Sequence, residues 1–136
     1  YTDHLRIELI REHLMTIEKA MKQIDELSAA EEINYNQLVR WIDTKEHHAN
    51  LIQEIAEQYF MTQRVKPADP EDAEAYGKYI TQLTLLHEML IYAMKTKQST
   101  DVSMVEKLHQ TVDKFEKAYF SPEELEHQHE HEGHSH

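Results

Sequence analysis

The sequence predicts an all-α protein, and three observations lead to this prediction. The 136 residues include only two glycines and three prolines, so the frequent turns of an all-β fold are missing. Apolar residues recur at helical spacing through most of the first 120 positions. No apolar run approaches the roughly 18 residues of a membrane-spanning helix. We therefore expect a cytoplasmic protein with a long N-terminal helix of the coiled-coil type, followed by a bundle of about three helices.

The first helix is predicted over residues 3–27, where six apolar residues form one narrow stripe. They follow one another at steps of three and four residues, which is the heptad spacing of about 3.5. A stripe this narrow pairs with one other helix, either in the same chain or in a second copy. We favour a second copy, so residues 1–30 are predicted to form a homodimer contact through Ile7, Ile10, Leu14, Ile17, Met21 and Ile24.

Two further helices are predicted over the middle of the chain. Asn34 is a suitable N-cap for a helix to about Met61, and the apolar residues of this helix cover more than half of its circumference. Asp69 followed by Pro70 predicts the start of a third helix, which runs to about Lys97. Its inward face is predicted to consist of Ala73, Tyr76, Ile80, Leu83, Leu86, Leu90, Ile91 and Met94.

The last part of the chain is predicted to hold a fourth helix and a polar tail. Ser99 or Thr100 is the expected cap of that helix, whose inward face is Val102, Val105, Leu108, Val112, Phe115 and Tyr119. Ser121 and Glu124 have the spacing of a capping box, which opens only a short turn. Residues 121–136 carry five acidic residues and no basic ones, so we expect this tail to be disordered unless a ligand binds it.

Charge and composition exclude several functions. The chain has 14 basic and 26 acidic residues, and its net charge of −12 repels nucleic acid from most of its surface. It contains no cysteine, which excludes disulfides, thiolate metal sites and cysteine nucleophiles. Gly77 and Gly133 are too far apart for a phosphate-binding loop. No Ser-His-Asp arrangement is recognisable either, and we predict that the protein is not an enzyme.

The histidines give the most specific chemical signal. Imidazole suits nickel, copper and zinc, so the tail is predicted to bind one of these metals without requiring it, through His127, His129, His131, His134 and His136. A di-iron centre is disfavoured, because it needs two Glu-x-x-His motifs and the helices supply only Glu106 with His109. His47 and His48 are adjacent, so their side chains diverge on a helix and cannot bind one ion together. His87 is predicted to be either a buried, hydrogen-bonded histidine or part of a pocket wall, and we favour the first.

Aromatic residues are concentrated in the second and third helices. They are consistent with an ordinary core, but tyrosine hydroxyls also suit a pocket that orients an apolar or aromatic ligand. On that reading the effector-binding residues are Trp41, Tyr59, Tyr76, Tyr79 and Tyr92.

The heptad helix, the Glu31-Glu32-Ile33-Asn34-Tyr35 segment and the Asp69-Pro70-Glu71-Asp72-Ala73-Glu74-Ala75 helix start resemble the C-terminal half of MerR-family transcriptional regulators with a helical drug-sensing domain. The resemblance implies that residues 1–30 dimerise and that residues 31–120 bind a small organic molecule or metal. It also implies that DNA is bound only through an N-terminal domain that this chain lacks. The chain departs from the metal-sensing members of that family, because it has no cysteines.

A second hypothesis comes from a different class of protein. On this hypothesis the chain is a stand-alone metal-binding helical bundle, which buffers or delivers nickel, zinc or copper through its histidine-rich tail.

Overall fold

The computed structural model describes residues 1–125. Within this range the elements are α1 (Thr2–Ser28), α2 (Tyr35–Glu54), a π-helix (Ile55–Arg64) that continues α2, α3 (Ala73–Gln98) and α4 (Val102–Tyr119). No strand occurs among these residues, so the predicted all-α class is confirmed. None of these helices combines the length and the apolar character that crossing a membrane requires.

The four long helices form an antiparallel bundle in which neighbours in sequence are neighbours in space. Residues near the start of one helix contact residues near the end of the next, so consecutive helices are antiparallel. α4 then closes the bundle against α1. The side-chain contacts that show this are Asp3–Tyr59 and Lys19–Trp41, Lys45–Ser99 and Gln53–Leu90, Gln82–Ala118, and Asp3–Tyr119 and Arg11–Asp113.

The narrow apolar stripe of α1 lies in the core of the chain itself. Its six residues are between 0% and 8% exposed in the single chain, which corrects our assignment of them to a dimer contact. A heptad stripe is also what a four-helix bundle uses within one chain, because its helices cross at a similar small angle. A homodimer remains a prediction and would use other faces. The core is continuous across residue 30 and is completed by Ala49, Ile52, Phe60, Leu86, Met89, Leu108, Val112 and Phe115.

Helix starts were predicted with mixed success. The side chain of Asn34 accepts a 3.2 Å hydrogen bond from the backbone N–H of Gln37, which confirms it as the N-cap of α2. The cap of α3 is Asp72, because Asp69 instead accepts a bond from the Glu71 N–H and closes a turn before the helix. Asp101 likewise caps α4, in place of the two residues before it that we predicted.

The end of the described chain has the predicted capping box. The Glu124 N–H donates to Oγ of Ser121 at 3.2 Å, and the Ser121 N–H donates to Oε1 of Glu124 at 3.3 Å. This turn brings Leu125 against the core cluster.

The inward face predicted for α3 was only partly right. Ile80 and Met94 are 40% and 38% exposed, whereas the buried residues of α3 are Gln82, Leu85, Leu86, Met89, Ala93 and Thr96. The two buried polar residues are satisfied locally, because Gln82 donates to the Ala118 carbonyl and Thr96 to the Ala93 carbonyl. Apolar residues occur on several sides of α3, so the pattern alone could not show which face meets the neighbouring helices. In α4 the predicted face is buried except at its ends, where Val102 is 38% exposed.

Candidate functional site

A cluster of polar side chains lies at the end of the bundle where α1 begins and α4 ends. The carboxylate of Asp3 accepts hydrogen bonds from the hydroxyls of Tyr59 and Tyr119, the second at 2.8 Å. Nε of Arg64 lies 3.1 Å from the same carboxylate and also donates to the Tyr59 hydroxyl at 3.3 Å. Side chains of the π-helix and of α4 therefore both bind one carboxylate of α1.

The cluster fixes the protonation state of its members. Burial raises the pKa of Asp3, but the bonds from Tyr59 and Tyr119 and the charge of Arg64 outweigh it, so that the pKa of Asp3 lies below its usual value. Burial and the hydrogen bond to Asp3 raise the pKa of both Tyr59 and Tyr119. At neutral pH the acid is thus charged and both phenols keep their protons.

A cavity of about 440 Å³ opens beside this cluster. Its charged lining consists of three cations, Arg64, Lys66 and Lys78, and two carboxylates, Asp3 and Glu124. Arg64 pairs with Asp3, whereas neither lysine pairs with a carboxylate among residues 1–125. The cavity therefore has an excess of positive charge in a chain whose net charge is −12, and we call it the cationic cavity.

Most residues of this site were not predicted from the sequence. Asp3, Lys66, Lys78 and Arg64 were not candidates, and Tyr119 was assigned only to the core. The Arg64-Val65-Lys66 segment could have indicated it, because it places two cations close together in an acidic chain, at the end of a helix that contains Tyr59 and Phe60.

Two histidines meet on another part of the bundle. Nδ1 of His13 on α1 lies 2.9 Å from Nδ1 of His48 on α2, although the residues are 35 positions apart. Burial lowers the pKa of both rings, and the neighbouring histidine charges lower them further. His47 is exposed, and its ring contacts that of His48 with centroids 5.4 Å apart. His87 is exposed on α3, in contrast to the burial that we expected.

The predicted effector-binding aromatics do not converge on one pocket. Tyr59 lines a cavity of about 340 Å³ between α1 and the π-helix, and Tyr79 lines the cationic cavity. Trp41 lies under the ammonium group of Lys19, and Tyr92 lies under that of Lys95. The fifth residue, Tyr76, contacts the ring of Tyr79 at a centroid distance of 6.1 Å.

Metal ligands are scarce in the described part of the chain. Among residues 1–125 no group of three or more histidine, aspartate or glutamate side chains is arranged to hold an ion. The Glu106 and His109 pair therefore has no partner motif there. The predicted tail ligands His127, His129, His131, His134 and His136 lie outside the described residues.

Comparison with known proteins identifies a family. The family model described as nickel-containing superoxide dismutase matches residues 1–123. No curated protein and no solved structure matches the chain.

This match corrects several of our expectations. The resemblance to MerR-family regulators was wrong, and with it the assignment to transcription regulation, because nearly the whole chain matches a different family. The expectation of a non-enzymatic protein was also wrong, since the matching family is one of oxidoreductases. Nickel was among the metals expected, although we took it to be dispensable. The chain belongs to the family of nickel-containing superoxide dismutases.

Proposed function

We propose that this protein catalyses the disproportionation of superoxide with nickel as its metal. In this reaction one superoxide anion is oxidised to O₂, and a second is reduced to H₂O₂ with the uptake of two protons. The observation that carries the proposal is the family match over residues 1–123. The cationic cavity at the start of α1 supports it, because the substrate is a small anion.

The charge distribution favours that cavity as the place where superoxide approaches. Most of the surface of a chain with a net charge of −12 repels an anion. Lys66 and Lys78 reverse this locally, since Arg64 offsets the charge of Asp3 and Glu124 offsets only one of the two lysines. The Tyr119 hydroxyl adjoins the same cavity, and its hydrogen bond to Asp3 holds it in place.

The described residues do not form a nickel centre. They contain no suitable group of three or more ligands, and the whole sequence contains no cysteine. The largest group of donors that suit nickel in this sequence is the five imidazoles of residues 127–136. We therefore propose these five histidines as nickel ligands.

The activity is tested on the complete protein as isolated with its metal. Nickel content is measured by mass spectrometry, and the decay of superoxide is followed after pulse radiolysis. We expect the decay rate to rise in proportion to bound nickel. Decay at the uncatalysed rate from nickel-saturated protein would overturn the proposal.

The role of the cavity is tested by replacing Lys66 and Lys78 together with glutamine. We expect the second-order rate to fall by about tenfold at low ionic strength, and its salt dependence to become weaker. Lys22→Gln is the matched control, because Lys22 lies roughly 28 Å further along α1 from Asp3. Equal rates and salt dependence in the two variants would show that the cavity does not attract the substrate.

The tail ligands are tested by nickel titration calorimetry. Replacing all five tail histidines with glutamine should remove the strongest nickel binding, whereas His87→Gln, which removes an exposed histidine of α3, should leave it unchanged. Undiminished binding in the tail variant would refute the assignment.

A further inference from the structure

The His13–His48 pair has a geometry that the superoxide proposal does not use. The two Nδ1 atoms are 2.9 Å apart, and the rings are inclined at 53° with centroids 5.0 Å apart. At this distance the nitrogens share one proton, because one must donate and the other must accept. A shift of that proton to Nε2 of the same ring leaves both Nδ1 lone pairs free to bind one metal ion.

We propose that His13 and His48 together bind a divalent copper-type transition ion, at a site separate from the family's nickel. Metal–imidazole bonds are about 2.0–2.1 Å long. An ion at that distance from both Nδ1 atoms would see them at roughly a right angle, which is the cis arrangement of square-planar and octahedral complexes. Copper(II) and nickel(II) prefer such geometry, and Cu²⁺ binds most strongly to a given set of nitrogen ligands.

The surroundings of the pair favour metal binding. The pKa of each ring is lowered by burial, so both histidines are neutral near pH 7, as coordination requires. His13 also lines the cavity of about 340 Å³, which leaves room for water molecules to complete the coordination. Arg6 and Glu54 also line this cavity, but no third histidine, aspartate or glutamate of residues 1–125 is arranged to join the pair as a ligand.

Two protein ligands hold an ion more weakly than the four of a structural site do. We therefore expect exchangeable binding and a fold that forms without the ion. This distinguishes the pair from a resident catalytic centre.

The test uses the full chain with its five tail histidines replaced by glutamine, which removes the competing ligands. Cu²⁺ is added, binding is measured by calorimetry, and bound nitrogens are counted by electron paramagnetic resonance. Adding His13→Gln or His48→Gln should weaken binding by more than about tenfold and remove the signature of two imidazoles. His87→Gln is the control and should change neither.

A second measurement needs no substitution in the bundle. Substoichiometric Cu²⁺ should broaden the ring proton signals of His13 and His48 before those of other histidines in the tail-substituted chain. Earlier broadening at another histidine, or equal Cu²⁺ affinity in His13→Gln, His48→Gln and His87→Gln, would overturn the proposal and leave the pair as a packing contact. Neither result depends on superoxide activity, so this proposal and the proposed function can fail separately.

Discussion

The hydroxyl of Tyr119 donates a 2.8 Å hydrogen bond to Oδ2 of Asp3, which ties the last turn of α4 to the first turn of α1. Because the Tyr59 hydroxyl and Arg64 occupy Oδ1, both oxygens of the acid are engaged. The first and last helices of the bundle are thus joined by the Asp3 side chain as well as by apolar packing.

Replacing Tyr119 with phenylalanine should reduce the free energy of unfolding by roughly 1–2 kcal/mol, since a partly buried carboxylate loses a hydrogen bond. Urea unfolding at pH 7 measures the change. Tyr35→Phe is the control, because Tyr35 is 69% exposed. Equal stability of the two variants would show that the bond contributes little.

The same cluster should make stability depend on pH in the acid range. The pKa of Asp3 is lower in the folded protein than the value of about 3.9 in an unfolded chain. Its stabilisation is therefore complete above the unfolded pKa and is lost as the pH falls through the folded pKa. Asp3→Asn should be less stable at pH 7, and the difference from the unmodified chain should shrink below about pH 4. A difference that is constant with pH would contradict this explanation.

The His13–His48 pair should make the stability of the fold depend on pH in a higher range than Asp3 does. Both pKa values are below the unfolded value of about 6.5, so the pair's contribution is complete above that pH and is lost as the pH falls through the folded pKa values. Glu12 opposes the shift at His13, and His47 adds to it at both rings. His48→Gln should flatten the dependence of the melting temperature on pH below about 6.5, whereas His87→Gln should preserve it.

Arg11 links α1 to α4 through charged side chains. Its guanidinium lies 2.7 Å from Asp113 and 3.3 Å from Glu116, and only 24% of its side chain is exposed. Arg11→Met should destabilise the protein by about 1 kcal/mol, and less at high salt. Lys22→Met, which removes an exposed pair with Glu18, should stay within about 0.5 kcal/mol. Both values come from urea unfolding at two salt concentrations.

Leu14 is fully buried in the α1 stripe. Leu14→Ala should lower the free energy of unfolding by about 2–5 kcal/mol, because it leaves a cavity within the chain's own core. The oligomeric state of the folded fraction should not change, and light scattering checks this. Met15→Ala is the neighbouring control, since Met15 is 66% exposed. Dissociation of a dimer in the Leu14 variant would restore the contact that we first predicted.

The helices were largely predictable, because their signals are local. The stripe of α1 and the Asn34 cap depend only on residues a few positions apart. The partner of the stripe was not predictable, since helices that pack within one chain and between chains use the same spacing. The π-helix at Ile55–Arg64 was also missed, because the apolar spacing continues from α2 without a signal that separates the two. In the structure its Tyr59 contacts Asp3 of α1 and its Phe60 contacts Phe115 of α4.

The candidate site was less predictable than the fold. Asp3, Tyr59 and Tyr119 come from three distant parts of the sequence, and no short motif connects them. His13 and His48 were each visible, but their pairing depends on the register of α1 against α2. The function was mispredicted because a heptad helix followed by a helical bundle occurs in unrelated families, and the pattern carried no residue-level chemistry.

The capping-box turn at Ser121–Glu124 also acts as a tether. It places Glu124 on the rim of the cationic cavity and Leu125 against the core. The described part of the chain thus ends beside this cavity, at the end of the bundle where α1 begins.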